Sequence, residues 1–233
     1  MILCSKKATD LIEKQHNNNI NNKNYIARAA QTIQAGGLVA FPTETVYGLG
    51  ADATNDDAVA CIFKVKKRPY FNPLIIHFSD QSSLADIVEL NEKARKLALA
   101  FWPGALTMVL PRKNDCPVSL LTSAGLGTLA VRIPNHPIAN ALITTAMTPI
   151  AAPSANRSGE VSPSAAEHVR QSLGKKVDVI LDGGPCKVGV ESTVIDLTSS
   201  NPTLLRPGGI IREDMEKIIG PIAISDGKKN KIK

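Results

Sequence analysis

The chain alternates short apolar runs with longer segments in which apolar residues recur at helical spacing. Short runs of Val, Ile and Leu are typical of buried strands, whereas apolar residues three or four positions apart are typical of a helix packed on one face. This regular alternation predicts the α/β class. The predicted strands are 38–41 (LVAF), 74–78 (LIIHF), 106–110 (LTMVL), 129–133 (LAVRI), 149–153 (PIAAP), 178–182 (DVILD), 193–197 (TVIDL) and 203–206 (TLLR).

Most of the segments with helical period follow a residue that favours a helix N-terminus. Asn55 and Asn91 are predicted N-caps, because an asparagine side chain accepts a hydrogen bond from the free amides of the first turn. Ser162 is predicted to cap a helix with Pro163 at its first position. The predicted helices are 25–35, 56–66, 92–101, 137–146 and 163–173.

The pattern predicts one domain, because no long linker or internal repeat interrupts residues 25–222. Residues 1–24 end in the asparagine-rich stretch NNNINNKN, which buries little apolar surface and predicts a disordered leader. Residues 223–233 form a basic tail.

Composition narrows the class of protein without identifying a function. The chain has 233 residues, of which 43% are hydrophobic, and a formal net charge of +6, which favours an anionic partner such as a nucleotide or a nucleic acid. It contains no apolar stretch of about 18 residues and no secretory signal, so we expect a cytoplasmic protein without membrane contact. Four scattered cysteines, without CxxC spacing, favour reduced thiols and argue against structural zinc.

Polar residues cluster directly after several predicted strands, where open α/β sheets place their ligands. FPTETVYGLG follows the first strand and suggests a glycine turn, but the chain has neither GxxxxGK[ST] nor GxGxxG. Lys66 and Arg68 lie at the end of a helix, where cations either complement the helix dipole or clamp phosphates. His77 interrupts the strand that follows, either as a core residue or as a ligand.

Later clusters add hydroxyls, amides and two further arginines. Arg132 interrupts an apolar strand, so it needs an anionic partner, which is either a protein carboxylate or a bound anion. PSANRSGEVSPS carries Ser154, Asn156 and Ser162 toward a predicted helix N-terminus, and Arg206 ends the last strand. The chain has no GxSxG elbow and no HExxH, so a triad hydrolase or a dedicated metal cage has little support.

Eight blocks occur in a fixed order along the chain: FPTETVYGLGADA, KKRPYFNPLIIH, WPGALTMVL, LAVRIPNHP, PIAAPSANRSG, DGG, GVESTVIDL and LLRPG. Together they resemble the YrdC-like threonylcarbamoyl-AMP synthase family over about residues 25–222. The resemblance implies a single YrdC-like domain with a strongly twisted mixed open sheet, helices on one side and a basic concave cavity. It also implies the conversion of L-threonine, bicarbonate and ATP to L-threonylcarbamoyl-adenylate and pyrophosphate.

The resemblance further implies two sets of ligand-binding residues and the partners of the reaction. It assigns no general acid or base, no protein ligand to a metal and no role to Glu44; Mg²⁺ is expected on the ATP phosphates. The product is expected to pass to separate threonylcarbamoyl-transfer proteins that modify tRNA, and contact with tRNA or double-stranded RNA is a further expectation. The implied ATP ligands are Lys66, Arg68, Asn72, Thr128, Ser154, Asn156, Ser162 and Arg206. The implied threonine ligands are Thr45, His77, Arg132, the backbone near Ala152, and Ser192.

The chain also differs from part of the family, and two alternatives stay open. Long members carry a linker and a second C-terminal domain, whereas this chain ends soon after LLRPG and resembles the short form. One alternative is a carbamoyltransferase domain that forms carbamoyl-adenylate. The other is a non-catalytic module that binds double-stranded RNA or tRNA, although aromatic residues make up only 4% of the chain.

Overall fold

The computed structural model describes residues 12–13 and 19–225, with side chains described from residue 24 onward. The described residues form a single eleven-stranded sheet. Its strands are β1 (Ile12–Glu13), β2 (Val39–Phe41), β3 (Gly48–Asp52), β4 (Ile75–His77), β5 (Leu106–Pro111), β6 (Thr128–Arg132), β7 (Ile150–Ala151), β8 (Val179–Leu181), β9 (Thr193–Asp196), β10 (Thr203–Arg206) and β11 (Ala223–Ile224). The α-helices are α1 (Asn19–Gln34), α2 (Asp56–Lys66), α3 (Glu92–Phe101), α4 (Pro137–Ala146), α5 (Ala166–Leu173) and α6 (Arg212–Ile219).

The sheet is mixed, with the strand order β1-β8-β2-β3-β7-β4-β6-β5-β9-β10-β11. The parallel pairs are β1–β8, β2–β8, β4–β6, β5–β9 and β10–β11. The antiparallel pairs are β2–β3, β3–β7, β4–β7, β5–β6 and β9–β10. The prediction of a mixed α/β sheet is therefore confirmed.

Helices cover both faces of the sheet. Ala40 packs in a core cluster that includes side chains of α2, α3, α5 and α6, whereas its neighbours Val39 and Phe41 pack in a second cluster with α1 and α4. Alternate residues of a strand point to opposite faces, so the two clusters lie on opposite sides of the sheet. The expectation of helices on one side is wrong for α1 and α4, which cover one end of the second face.

All eight predicted strands are confirmed, but the glycine turn after the first of them is wrong. Residues 48–52 form β3, which pairs antiparallel with β2 and β7. A Cβ atom on Gly50 would lie 2.7 Å from Phe41 Cε1 and 2.8 Å from Ile150 Cγ2. The glycine therefore makes room for two core side chains from neighbouring strands.

Three of the five predicted helices have the expected bounds, and Asn55 and Asn91 cap α2 and α3 as predicted. Helix α1 begins at Asn19, so residues 19–24 are helical and do not belong to a disordered leader. Most other residues of the predicted leader (1–24) and tail (223–233) lie outside the described residues. The division into leader, domain and tail therefore stays a prediction.

The prediction for the N-terminus of α5 is wrong. This helix begins at Ala166, and the carbonyl of Pro163 accepts a hydrogen bond from the amide of Tyr47, which lies in the loop between β2 and β3. Ser162 does not cap the helix, because its hydroxyl donates to Glu191 Oε1 at 2.7 Å. A tertiary contact therefore replaces the local capping interaction that the sequence favours.

The remaining expectations concern the thiols and the membrane. Cys61 is disulfide-bonded, whereas Cys116 and Cys186 are free, so the expectation of reduced thiols throughout is wrong at Cys61. Within residues 19–225, none of the helices has the length and apolar character needed to cross a bilayer.

Candidate functional site

A cavity of about 270 Å³ opens on the sheet face that also carries α1 and α4. Strands β4, β5, β6, β9 and β10 form its floor, and the loops after β2 and β7 form its walls. Three arginines and one glutamate are its charged lining residues. The lining comprises Thr43, Thr45, Val46, Gly48, Arg68, Pro73, Ile75, His77, Val109, Ala130, Arg132, Ala152, Pro153, Ser154, Glu191, Ser192, Val194, Leu205 and Arg206.

Arg132 lies at the end of β6 and is 4% exposed. Its Nη2 lies 2.7 Å from Glu44 Oε1 and donates to Thr45 Oγ1 at 2.9 Å, while its Nε donates to the Gly104 carbonyl at 3.1 Å. The sequence left open whether the anionic partner of Arg132 is a protein carboxylate or a ligand. Within the described residues that partner is Glu44.

The hydrogen bonds of Thr43 determine how Thr45 can contact a ligand. Thr43 Oγ1 donates its proton to the Val46 carbonyl, so it accepts the proton of Thr45 Oγ1, which lies 2.8 Å away. Thr45 Oγ1 already accepts one hydrogen bond from Arg132, and a hydroxyl oxygen has two lone pairs. Thr45 therefore has one acceptor position left, which suits an ammonium or a hydroxyl donor.

His77 lies on β4 opposite Arg132 in the parallel register and is 3% exposed. Its ring meets the edge of Phe41 at 6.2 Å between centroids, and its Nδ1 has no hydrogen-bond partner among the described residues. Burial, together with the charge of Arg132, lowers the pKa of His77 to about 3. The imidazole is therefore neutral near pH 7, when it can hydrogen-bond a ligand without adding a positive charge.

The neutral His77 predicts a specific loss of stability in acid. The pKa is about 3 in the folded protein and about 6.5 in the unfolded chain, so only the unfolded chain binds the proton in that interval. Stability should therefore fall as the pH drops below 6.5, by about 2 kcal/mol between pH 7 and pH 5. Urea denaturation should show this extra loss in the wild type and not in His77→Gln.

His168 provides the control for this prediction, because its side chain is exposed on α5. His168→Gln should keep the pH dependence of the wild type. A His77→Gln variant with the same pH dependence as the wild type would contradict the assignment of a neutral, buried imidazole.

Arg206 and Arg68 are the other two arginines of the cavity lining. Arg206 forms an ion pair through Nη1 with Glu191 Oε2, and its Nη2 donates to the carbonyl and the hydroxyl of Ser192. Arg68 donates to the carbonyls of Asn72 and Pro73 and forms no ion pair within residues 24–225. Burial lowers the pKa of Arg68 from its usual value, and Glu191 opposes that shift. Among residues 24–225 the Arg68 guanidinium is therefore a cation without a carboxylate at ion-pair distance.

Lys66 lies behind the cavity wall and is 1% exposed. Its ammonium group donates to the carbonyls of Ser154 and Asn156 and lies 3.5 Å from Asn156 Oδ1. Burial and the neighbouring Arg68 lower the pKa of Lys66 to about 8. These contacts make Lys66 the anchor of residues 154–156, of which Ser154 lines the cavity.

The residues expected to bind ligands therefore divide into two groups. Those that line the cavity are Thr45, Arg68, His77, Arg132, Ala152, Ser154, Ser192 and Arg206. Those outside its lining are Lys66, Asn72, Thr128, Asn156 and Ser162. The amide of Ala152 already donates to the Ile75 carbonyl at 2.9 Å, so the carbonyl or side chain of Ala152 is what remains for a ligand.

Sequence reasoning missed Glu44 and Glu191 as components of this site. Both carboxylates pair with an arginine that the sequence singled out, Arg132 and Arg206 respectively. A signal for Glu44 was present, because a buried arginine requires a carboxylate and Glu44 adjoins the candidate Thr45. Nothing local indicated that Glu191 faces Arg206, since the pairing depends on the antiparallel packing of β9 and β10.

Known proteins resemble this chain over most of its length. The sequence profile of the Sua5/YciO/YrdC family, described as telomere recombination, matches residues 31–208. A threonylcarbamoyl-AMP synthase of Bacillus subtilis is 53% identical over 203 residues, covering 87% of this chain and 58% of the relative. One of Pyrococcus abyssi is 53% identical over 197 residues, covering 84% of this chain and 57% of the relative.

The fold agrees with a solved structure from the same group. A crystal structure of P. abyssi Sua5 complexed with L-threonine matches with a TM-score of 0.85 at 51% identity, covering 87% of this chain and 59% of that one. The chain thus spans somewhat more than half the length of these relatives. The family profile, the sequence identity and the shared fold together show that the chain belongs to the Sua5/YciO/YrdC family.

Proposed function

We propose that this protein is an L-threonylcarbamoyl-adenylate synthase, a nucleotidyltransferase that uses L-threonine, bicarbonate and ATP. The relatives from B. subtilis and P. abyssi carry the name of this activity, and the matched P. abyssi structure contains L-threonine. The observation that carries the proposal is that one cavity brings together residues from both implied ligand sets.

Residues of the two sets adjoin each other in this cavity, because Ser192 of the threonine set accepts hydrogen bonds from Arg206 of the ATP set. Thr45, His77 and Arg132 lie together at the end formed by β4 and β6, where the threonine is proposed to bind. Arg206 ends β10, and Arg68 is held by the carbonyls of Asn72 and Pro73 just before β4. Both line the cavity and are suited to the phosphates of ATP, because a guanidinium group can bind two phosphate oxygens at once.

The chemistry proposed for this arrangement is positioning and charge stabilisation. The threonine amine loses its proton and combines with bicarbonate to give a carbamate and water. A carbamate oxygen then attacks the α-phosphorus of ATP, and pyrophosphate leaves with the electrons of the broken bond. Arg68 and Arg206 would stabilise the charge on the leaving pyrophosphate, an effect that can supply much of the acceleration in such transfers.

Magnesium is proposed to arrive with ATP. Glu191 is the carboxylate in the cavity lining, and it is already paired with Arg206. Within residues 24–225, no group of three or more His, Cys, Asp or Glu side chains could hold a metal ion. These residues offer no protein cage for Mg²⁺, so the phosphate oxygens would supply the main ligands.

The remaining expectations follow from the proposed reaction. The product would pass to separate proteins that transfer the threonylcarbamoyl group to tRNA, and we propose that this occurs in the cytoplasm. Direct contact with tRNA or double-stranded RNA stays a prediction of the sequence.

The decisive experiment measures pyrophosphate release from ATP while threonine and bicarbonate are omitted in turn. We expect release only when both are present, and mass spectrometry should detect the threonylcarbamoyl-adenylate. Release that does not depend on threonine would contradict the proposal. Release supported by carbamoyl phosphate would indicate the carbamoyltransferase instead, and salt-dependent RNA binding without ATP consumption would indicate the non-catalytic module.

A further inference from the structure

The three arginines that line the cavity differ in their ion-pair partners. At the end formed by β4 and β6, Arg132 is neutralised by Glu44 and His77 is uncharged near pH 7. Elsewhere in the lining Arg206 is paired with Glu191, but Arg68 has no ion pair within the described residues. The lining therefore has an excess positive charge only beside Arg68.

Glu44 is placed to act through Arg132 and not through direct contact with a ligand. It is 8% exposed and is absent from the cavity lining, and its backbone carbonyl accepts a hydrogen bond from Val188 at 2.8 Å. Its Oε1 forms an ion pair with Arg132 Nη2 at 2.7 Å, and neither of its oxygens has a hydrogen-bond partner of good geometry among the described residues. A buried carboxylate that is held by an ion pair without hydrogen bonds costs stability, so its presence requires a compensating gain.

We propose that Glu44 is a positioning residue that makes the Arg132 end of the cavity electrically neutral, so that this end selects zwitterionic amino acids over simple carboxylate anions. The inference rests on the proposed function, because it assumes an amino acid as the ligand of this end. Glu44 would then determine which ligand binds without itself being one of the ligand-binding residues.

The physical basis is the opposite effect of Glu44 on the two charges of an amino acid. An arginine without Glu44 would attract any small carboxylate, because the buried guanidinium would have no other counter-ion. With Glu44 in place, an anion gains less from Arg132, whereas an ammonium group is favoured by the nearby negative charge. The free acceptor position of Thr45 adds to the preference for a ligand that carries an ammonium or a hydroxyl donor.

The test compares L-threonine with (R)-3-hydroxybutyrate, which is the same molecule without its ammonium group. Calorimetric titration of the wild type and Glu44→Gln gives the ratio of the two affinities. We expect Glu44→Gln to reduce the preference for threonine at least tenfold, chiefly by tightening the binding of hydroxybutyrate. Glu44→Asp keeps the charge and should stay within about threefold of the wild-type preference. Glu89→Gln is the matched control, because it makes the same chemical change at an exposed position.

An unchanged preference in a folded Glu44→Gln protein would overturn the inference while leaving the proposed function intact. Should that variant fail to fold, the wild type decides alone: hydroxybutyrate affinity within threefold of threonine affinity overturns the inference, and a larger difference supports it. If the wild type does not bind threonine at all, the proposed function is contradicted and the inference falls with it.

Discussion

Replacing Arg132 with methionine is expected to lower the free energy of unfolding by about 3 kcal/mol and to abolish threonine binding. The substitution removes the ion pair of the buried Glu44 carboxylate, neither oxygen of which has a hydrogen-bond partner within residues 24–225. It also removes the donors to Thr45 Oγ1 and to the Gly104 carbonyl. The loss should therefore exceed that of an exposed ion pair several-fold.

Urea denaturation and calorimetric titration with threonine measure the two effects separately. Arg95→Met is the control, because Arg95 is exposed on α3 and its replacement should change stability by less than about 0.5 kcal/mol. The double variant Arg132→Met/Glu44→Gln should regain part of the lost stability, since no buried charge is left unpaired, but it should not regain threonine binding.

The double variant also separates a structural role of Arg132 from a role in binding. Recovery of both stability and threonine affinity would show that Arg132 does not contact the ligand. If the single variant were as stable as the wild type, the buried ion pair with Glu44 would be contradicted.

The strands and most helices could be predicted because their signals are local. Val39–Phe41 and Leu106–Pro111 are apolar runs with clear ends, and Asn55 and Asn91 cap their helices by contacts within three residues. Gly48–Asp52 was missed because its glycines lower strand propensity, and what makes it a strand is its packing under Phe41. That contact comes from the neighbouring strand and cannot be seen in the local pattern.

The sequence predicted which residues lie at the site better than it predicted which residues contact each other there. The ordered blocks pointed to Thr45, His77 and Arg132, and the structure brings all three to one end of a cavity. The pairing of Arg132 with Glu44 could not be fixed from the sequence, because a buried arginine is satisfied equally well by a protein carboxylate or by a ligand.

The contacts of Lys66 could not be predicted from the sequence either. The adjacent cations in the sequence suggested that Lys66 binds phosphate, whereas in the structure its ammonium group donates to two backbone carbonyls. Lys66→Met is therefore expected to lower the free energy of unfolding by about 3 kcal/mol as well as to weaken ATP binding at least tenfold. Methionine keeps most of the apolar volume but leaves the carbonyls of Ser154 and Asn156 without their donor, and a buried unpaired carbonyl costs about 1–3 kcal/mol.

The coupling of the two losses is what distinguishes an anchor from a direct phosphate ligand. A lysine that met only the phosphates would be unpaired in the free protein, so its removal would weaken ATP binding without lowering stability. Urea denaturation and nucleotide titration of Lys66→Met therefore decide between the two roles. Lys96→Met is the control, because it removes an exposed pair with Glu92 and should cost no more than about 0.5 kcal/mol. Unchanged stability in Lys66→Met would contradict the anchoring of residues 154–156. Unchanged ATP affinity would show that these residues do not contribute to the proposed ATP site.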